Sequence, residues 1–321
     1  MRWTQSNAST GMHVFLLIVC SALTPCDKPV DRISDPDRIV RAARSWLIQR
    51  YAETKWIAEE APTPYRAGIR ALAALALARE PKARASVLAA ARELAAESTE
   101  TTLLPYSKAC VAVALSKIAT VSIDEQDEPD REALRNRARV LAEECLGSTD
   151  FECRETCLRA LALVALATAK RAGAPVDETR MATWGEEIRA RALPSGEFHG
   201  HDFPSPGHGA TALACEALTA IGQGTSRECV QGLEWLERGR LREKLSSLRM
   251  SNIGGYLRGF HLFELRAHCA ALHNASRSSK ERVLDLVRKH LSESIADDGH
   301  LDSRYGPIFG TALLVLTLDP Q

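Results

Sequence analysis

The sequence predicts an all-α chain of six helical hairpins arranged as an inner and an outer ring of helices, an α/α toroid. Three observations point there. Apolar residues recur with helical rather than alternating period from about residue 37 to the end, and no stretch alternates long enough to make a strand. Breakers divide that length into twelve segments, and alternate segments differ in character. A phrase also returns: a loop with Gly or Pro and an aromatic or His, then a helix of small residues, at Pro64-Tyr65-Arg66-Ala67-Gly68, Gly207-His208-Gly209-Ala210-Thr211 and Tyr305-Gly306-Pro307-Ile308-Phe309-Gly310-Thr311.

In chain order the segments run 37–59, 65–79, 81–97, 105–120, 129–147, 152–171, 178–191, 208–221, 226–245, 255–271, 279–293 and 306–318. Pro81 and Pro129 stand where a first helical turn tolerates a missing N–H, and Gly147, Gly173 and Gly222 stand just past helix ends. Segments 65–79, 105–120, 152–171, 208–221 and 306–318 are Ala-, Leu- and Val-rich around most of their circumference, as in Ala71-Leu72-Ala73-Ala74-Leu75-Ala76-Leu77, which predicts burial on several sides. Segments 37–59, 81–97, 129–147, 226–245 and 279–293 are amphipathic and heavily charged, as in Arg131-Glu132-Ala133-Leu134-Arg135, which predicts a solvated outer layer. Stacked hairpins of this kind also build open solenoids, so closure of the ring is an expectation that hairpin patterning does not decide.

Ahead of the helices, Val14–Cys20 is a continuous apolar run followed by Ser21-Ala22. It is too short for a membrane span, which needs about 20 apolar residues, and suits the core of a secretory signal peptide. The expected organisation is a signal peptide over 1–22, a linker over 23–36 and one toroid domain over 37–321, with export to the periplasm or exterior and no spanning segment after the leader. Arg2 alone makes the leader's basic region, and Met12 is an alternative start. Lys plus Arg equals Asp plus Glu at 41 each, a balance that does not suggest nucleic acid as a partner. Seven of the nine cysteines lie in the domain over 37–321, an odd number, mostly where a small apolar residue would fit a helix face; buried free thiols are expected.

The phrases resemble the prenyltransferase and squalene-cyclase repeat superfamily. The residues that carry the likeness are Ser45-Trp46-Leu47 and Glu234-Trp235-Leu236 on outer segments, Ser195-Gly196-Glu197-Phe198 and Asp297-Asp298-Gly299-His300 in loops, and Thr211-Ala212-Leu213 and Gly310-Thr311-Ala312-Leu313 where inner segments begin. Residues 284–318 match best. The resemblance implies a terpenoid cyclase-like toroid, but the superfamily's catalytic motifs do not carry over. No Asp-x-Asp-Asp acid motif occurs, the nearest acidic runs being Asp35-Pro36-Asp37 and Asp127-Glu128-Pro129-Asp130, and no Asp-x-Cys zinc pair occurs. Five Trp, five Tyr and seven Phe offer little of the aromatic lining that stabilises carbocations.

Candidate functional residues fall in three groups. Inner-helix N-termini of a toroid converge at one mouth, which places Tyr65, Tyr106, Arg154, His208, Tyr256 and Tyr305 where a ligand with a polar or anionic head could sit above an Ala-lined barrel. The loop 192–210 carries His199, His201 and His208 beside Asp202, a set able to hold zinc or another divalent ion. His261, Glu264 and His268 share a face of the tenth segment, more in keeping with a hydrogen-bonded buried patch. With the fold signature present and the catalytic signature absent, the expected function is binding of an apolar or polyprenyl-like ligand, or of a protein or glycan partner, at the cavity mouth. One alternative is a terpenoid cyclase or prenyltransferase-like enzyme using Asp202, Asp297 or Asp298 as its acid; another is a glycan-active toroid with two carboxylates across the mouth.

Overall fold

The computed structural model describes residues 36–100, 103–121, 128–148, 155–200, 207–238, 256–292, 294–303 and 305–319. Residues 33–321 form one compact unit. The leader expected over 1–22 and the linker over 23–36 lie outside the described residues apart from Pro36, which begins α1.

Twelve α-helices are described: α1 (Pro36–Thr54), α2 (Thr63–Ala76), α3 (Arg84–Glu100, led in by a 3-10 turn at Pro81–Ala83), α4 (Pro105–Val121), α5 (Glu128–Gly147), α6 (Thr156–Arg171), α7 (Glu178–Arg189), α8 (His208–Ala220), α9 (Arg227–Glu237), α10 (Tyr256–Asn274), α11 (Lys280–Ser292) and α12 (Pro307–Leu318). There is no strand among the described residues, only an isolated bridge between Ala192 and Phe198. Start and stop chemistry accounts for several boundaries. The Asp177 carboxylate accepts from the N–H groups of Thr179 and Arg180 to open α7, and Ser226 Oγ accepts from Cys229 N to open α9. Gly173 and Gly222 take left-handed φ values of 93° and 83° just past α6 and α8. The first predicted segment ends early. Lys55 and Trp56 adopt φ values of 53° and 57° and leave the helix, because the fully buried Trp56 indole turns back to donate to the Leu47 carbonyl O at 2.7 Å.

The even-numbered helices form the inner ring. α2 packs on α4, α4 on α6, α6 on α8, α8 on α10, α10 on α12, and α12 returns to α2. That last pairing closes the ring and excludes the open solenoid. Small side chains let these helices sit close on several neighbours: every residue of α6 from Thr156 to Ala169 is buried, as is every residue of α2 from Ala67 to Ala76. The odd-numbered helices wrap outside and bury one stripe each, such as Val283, Leu284, Val287 and Leu291 of α11.

Two loops show how the rings are joined. Gly196 and Gly299 each stand at φ 95°, a turn open to glycine, and each presses on the next outer helix. A Cβ on Gly196 would meet the Gln231 carbonyl O of α9 at 2.7 Å, and one on Gly299 would meet the Ala42 backbone of α1 at 2.7 Å. Two residues further on, Phe198 and Leu301 are buried, and their N–H groups donate to the hydroxyls of Thr211 and Thr311 on the following inner helices at 2.9 and 3.0 Å. The last hairpin therefore docks on α1 as the fourth docks on α9. An ion pair between Arg44 of α1 and Asp319 after α12 spans the same seam.

Thr311→Val keeps the shape of the side chain but leaves the buried Leu301 N–H without its acceptor. It should lower unfolding free energy by about 1–3 kcal/mol in urea denaturation. Thr317→Val removes only a bond to the Leu313 carbonyl O within α12 and should cost clearly less.

Candidate functional site

Because the inner helices run in the same direction, their C-terminal ends gather at one mouth of the barrel. A cavity of about 370 Å³ opens there. Five inner helices or their immediate C-terminal extensions line it: Arg79 after α2, Lys117, Thr120 and Val121 of α4, Val164, Thr168 and Arg171 of α6, Glu216, Thr219 and Ala220 of α8, and Asn274 of α10. Helical spacing explains the set. Lys117 and Val121, like Val164, Thr168 and Arg171, lie three or four residues apart and so share one face of their helix.

Among the described residues lining this cavity, positive side chains outnumber negative ones. Glu216 and Arg266 form a buried bidentate pair, with N–O distances of 2.8 and 2.9 Å, so the one carboxylate among the described lining residues is already matched. Arg79, Lys117 and Arg171 are the other charged side chains among the described lining residues. Burial holds the Lys117 ammonium down to about 8, Arg266, Arg171 and Arg79 push it the same way, and Glu216 opposes them. An anion placed among these groups would relieve that repulsion and hold Lys117 in its charged form to higher pH. The cations also offset the negative ends of the inner-helix dipoles, a structural benefit that does not require a ligand. Apolar surface from Val121, Val164 and Ala220 completes the walls.

At the opposite, N-terminal mouth the residues named from sequence engage one another. Tyr65 and Tyr305 are half-buried with ring centroids 5.6 Å apart. Tyr106 donates its phenol O–H to Glu155, and burial followed by nearby Cys157 and Glu155 pushes its ionisation far up. His208 is buried, its ring stacked on His268 at 4.8 Å and 5.9 Å from Trp235 of outer helix α9. His208 Nε2 and His268 Nδ1 share one hydrogen bond at 2.8 Å, so one imidazole donates and the other accepts. Glu264, one turn before His268, accepts from the Gly209 N–H at 3.3 Å, placing a carboxylate at the N-terminus of α8. Arg154 and the side chains of Tyr256 and His261 lie outside what is described.

Two of the metal candidates, His199 and His208, and two of the acid candidates, Asp297 and Asp298, are described. His199 is exposed in its loop, with its carbonyl O accepting from Thr156 Oγ1 at 2.5 Å, while His208 is buried in the helix layer. His201 and Asp202 lie outside the described residues, and among those described no cluster of three or more His, Cys, Asp or Glu could hold a metal ion. Asp297 and Asp298 are exposed in the loop between α11 and α12. Partial burial opposes ionisation of Asp298, but bonds from the His300 ring and N–H, with the Trp46 indole, hold its carboxyl below the usual range. It is kept as a carboxylate that ties the loop to α1.

Sequence reasoning gathered one mouth from the loop phrases and passed over the other. The missed signal was a basic residue in or just past the final turn of three successive inner segments, Arg79, Lys117 and Arg171, among otherwise apolar sequence.

No protein-family model and no curated protein matches the chain. Among solved structures, an alanine variant of the type II terpene cyclase MstE from Scytonema, in complex with its product merosterolic acid A, matches 89% of this chain and 97% of its own, at 15% identity and a TM-score of 0.45. The toroid assignment rests on the ring contacts described above and not on that likeness.

Burial holds His268 well below the usual imidazole range, with His208 adding to the effect. The unfolded chain therefore takes up protons that the folded chain does not once pH falls through about 6.5. Stability should be full above that value and fall progressively below it. His268→Asn, which keeps a donor near the Nδ1 position, should flatten this part of the profile when unfolding midpoints are compared between pH 7.5 and 5.

Proposed function

We propose that this protein is a ligand-binding toroid which takes an amphipathic anion, an apolar or polyprenyl-like body carrying a phosphate or carboxylate head, at the C-terminal mouth of its inner ring. The observation that carries this reading is the cavity itself: a concave space of about 370 Å³ whose described lining combines apolar wall with three cations and a carboxylate, Glu216, bound to Arg266. The head would lie among Arg79, Lys117 and Arg171, and the body against Val121, Val164 and Ala220. The reading makes the protein a binder rather than a catalyst, since no Asp-x-Asp-Asp motif stands in the sequence to start a cyclisation by protonation. The apolar run ahead of the helices is in keeping with an exported protein that meets its ligand outside the cytoplasm, the place proposed for it here.

Geranyl phosphate and geraniol share a tail and differ in the head, so calorimetric titration of the full chain with each tests the assignment. Geranyl phosphate should bind at least about tenfold more tightly than geraniol, and Arg171→Met should remove about tenfold of its affinity, the worth of one charge-assisted hydrogen bond. Binding should be strongest below pH 8 and weaken above it as Lys117 loses its proton. Equal affinity for both compounds, or none for either, would overturn the proposal. Analysis of each mixture for a converted product tests the non-catalytic part separately.

A further inference from the structure

Beside the cavity-lining Glu216 and Thr219, α8 and α9 bring two thiols together. Cys215 sits midway along α8 and Cys229 in the first turn of α9, and both are fully buried. Their placement is reciprocal. Cys215 Sγ lies 3.7 Å from the Cys229 carbonyl O, and Cys229 Sγ lies 3.8 Å from the Cys215 carbonyl O. Each sulfur rests on the other's backbone. The surrounding packing accommodates the pair at a specific point. A Cβ on Gly232, one turn along α9, would meet Cys215 Sγ at 2.7 Å, so a glycine leaves the room that sulfur occupies.

The two sulfurs are not equivalent. Cys229 stands at a helix N-terminus with its N–H held by Ser226 Oγ, where the positive end of the helix dipole favours a thiolate, and its Sγ also lies 3.9 Å from the Thr219 hydroxyl. The bond from Cys215 lowers its ionisation, with help from Thr219 and Arg277 against the effect of burial. Cys215, mid-helix and buried, is pushed up instead. Cys110, Cys157 and Cys269 are held at about 12 by burial on other inner helices.

We infer that Cys215 and Cys229 are a dithiol–disulfide pair that staples inner helix α8 to outer helix α9, with Cys229 the sulfur that reacts first. The oxidant is a small disulfide of the oxidised-glutathione type. The Cys229 thiolate attacks one of its sulfurs, forming a mixed disulfide and releasing one thiolate. Cys215 then gives up its proton to solvent and attacks the Cys229 sulfur, releasing the second. Two protein thiols are oxidised to one disulfide, and the oxidant is reduced to two thiols. Because both sulfurs are buried, exchange takes place before α9 docks or when it opens locally.

The experiment uses the full reduced chain treated with oxidised glutathione, then alkylated and read by intact mass and peptide mapping. The expected product has lost the mass of two hydrogen atoms, carries one bridge joining the peptides of Cys215 and Cys229, and unfolds at a higher temperature until a reductant is added. Cys215→Ser should trap a stable glutathione adduct on Cys229, whereas Cys229→Ser should leave Cys215 without either adduct or bridge. The wild-type peptide map decides the question even where a variant folds poorly. A bridge between any other pair, a persistent wild-type adduct on Cys229, or thiols that remain reduced even when the chain is refolded in the oxidant would each overturn the inference.

Discussion

The arrangement depends on one small interaction made at the fourth and the last hairpin, a threonine hydroxyl on an inner helix accepting a loop N–H that would otherwise be buried without a partner. Thr211 serves Phe198 and Thr311 serves Leu301. Each loop has just turned through a left-handed glycine packed against the following outer helix, so a single junction ties three elements: the loop, its own inner helix and the next hairpin. Removing the hydroxyl strands a donor away from water, and replacing the glycine forces a side chain into main-chain atoms. Phe198 anchors its junction further by burying its whole ring, worth about 1.5–3 kcal/mol. At the last hairpin the following outer helix is α1, and so a local rule of packing also closes the chain on itself.

This junction explains why the recurring phrases say much about architecture and little about activity. Gly, an apolar residue and Thr are there for turn geometry, burial and satisfaction of an amide, and none is exposed to act on a ligand. Asp298 belongs to the same construction, tied to His300 and Trp46. The features with chemical potential stand at the opposite end of the inner helices, where chain ends of one polarity meet and cations compensate carbonyl groups. Nothing in the joining role of the loops constrains that end, which is free to hold Arg79, Lys117 and Arg171 around a cavity.

Helix number, order and layer were legible because burial imposes composition. α2 or α6 can touch neighbours all round only if built from Ala, Leu and Val, and α11 can face water only if charged on the other side. Boundaries were less so where a tertiary bond decided them: nothing local to Lys55-Trp56 says that the indole will reach back to Leu47 and end α1. Closure, expected from the toroid reading, is not decided by hairpin patterning alone, since it is a contact between α12 and α2, far apart in sequence. At the N-terminal mouth, His208 was correctly placed at the start of α8, yet its partner His268 is sixty residues away, and periodicity gives no sign that the two rings stack. The basic mouth was spread thinner still, about one residue per inner helix, a pattern that becomes a cluster only once the ring is formed.

Amide hydrogen exchange at Phe198 and Leu301 tests the closed ring most directly. Both amides lie in loops and would exchange rapidly if those loops were merely connections. Junctions that dock the fourth hairpin on α9 and the last on α1 require both to exchange as slowly as amides within α6 and α8, with Leu301 matching Phe198 although its loop must meet the other end of the chain. Fast exchange at Leu301 beside slow exchange at Phe198 would mean an open array whose last hairpin is not docked on its first.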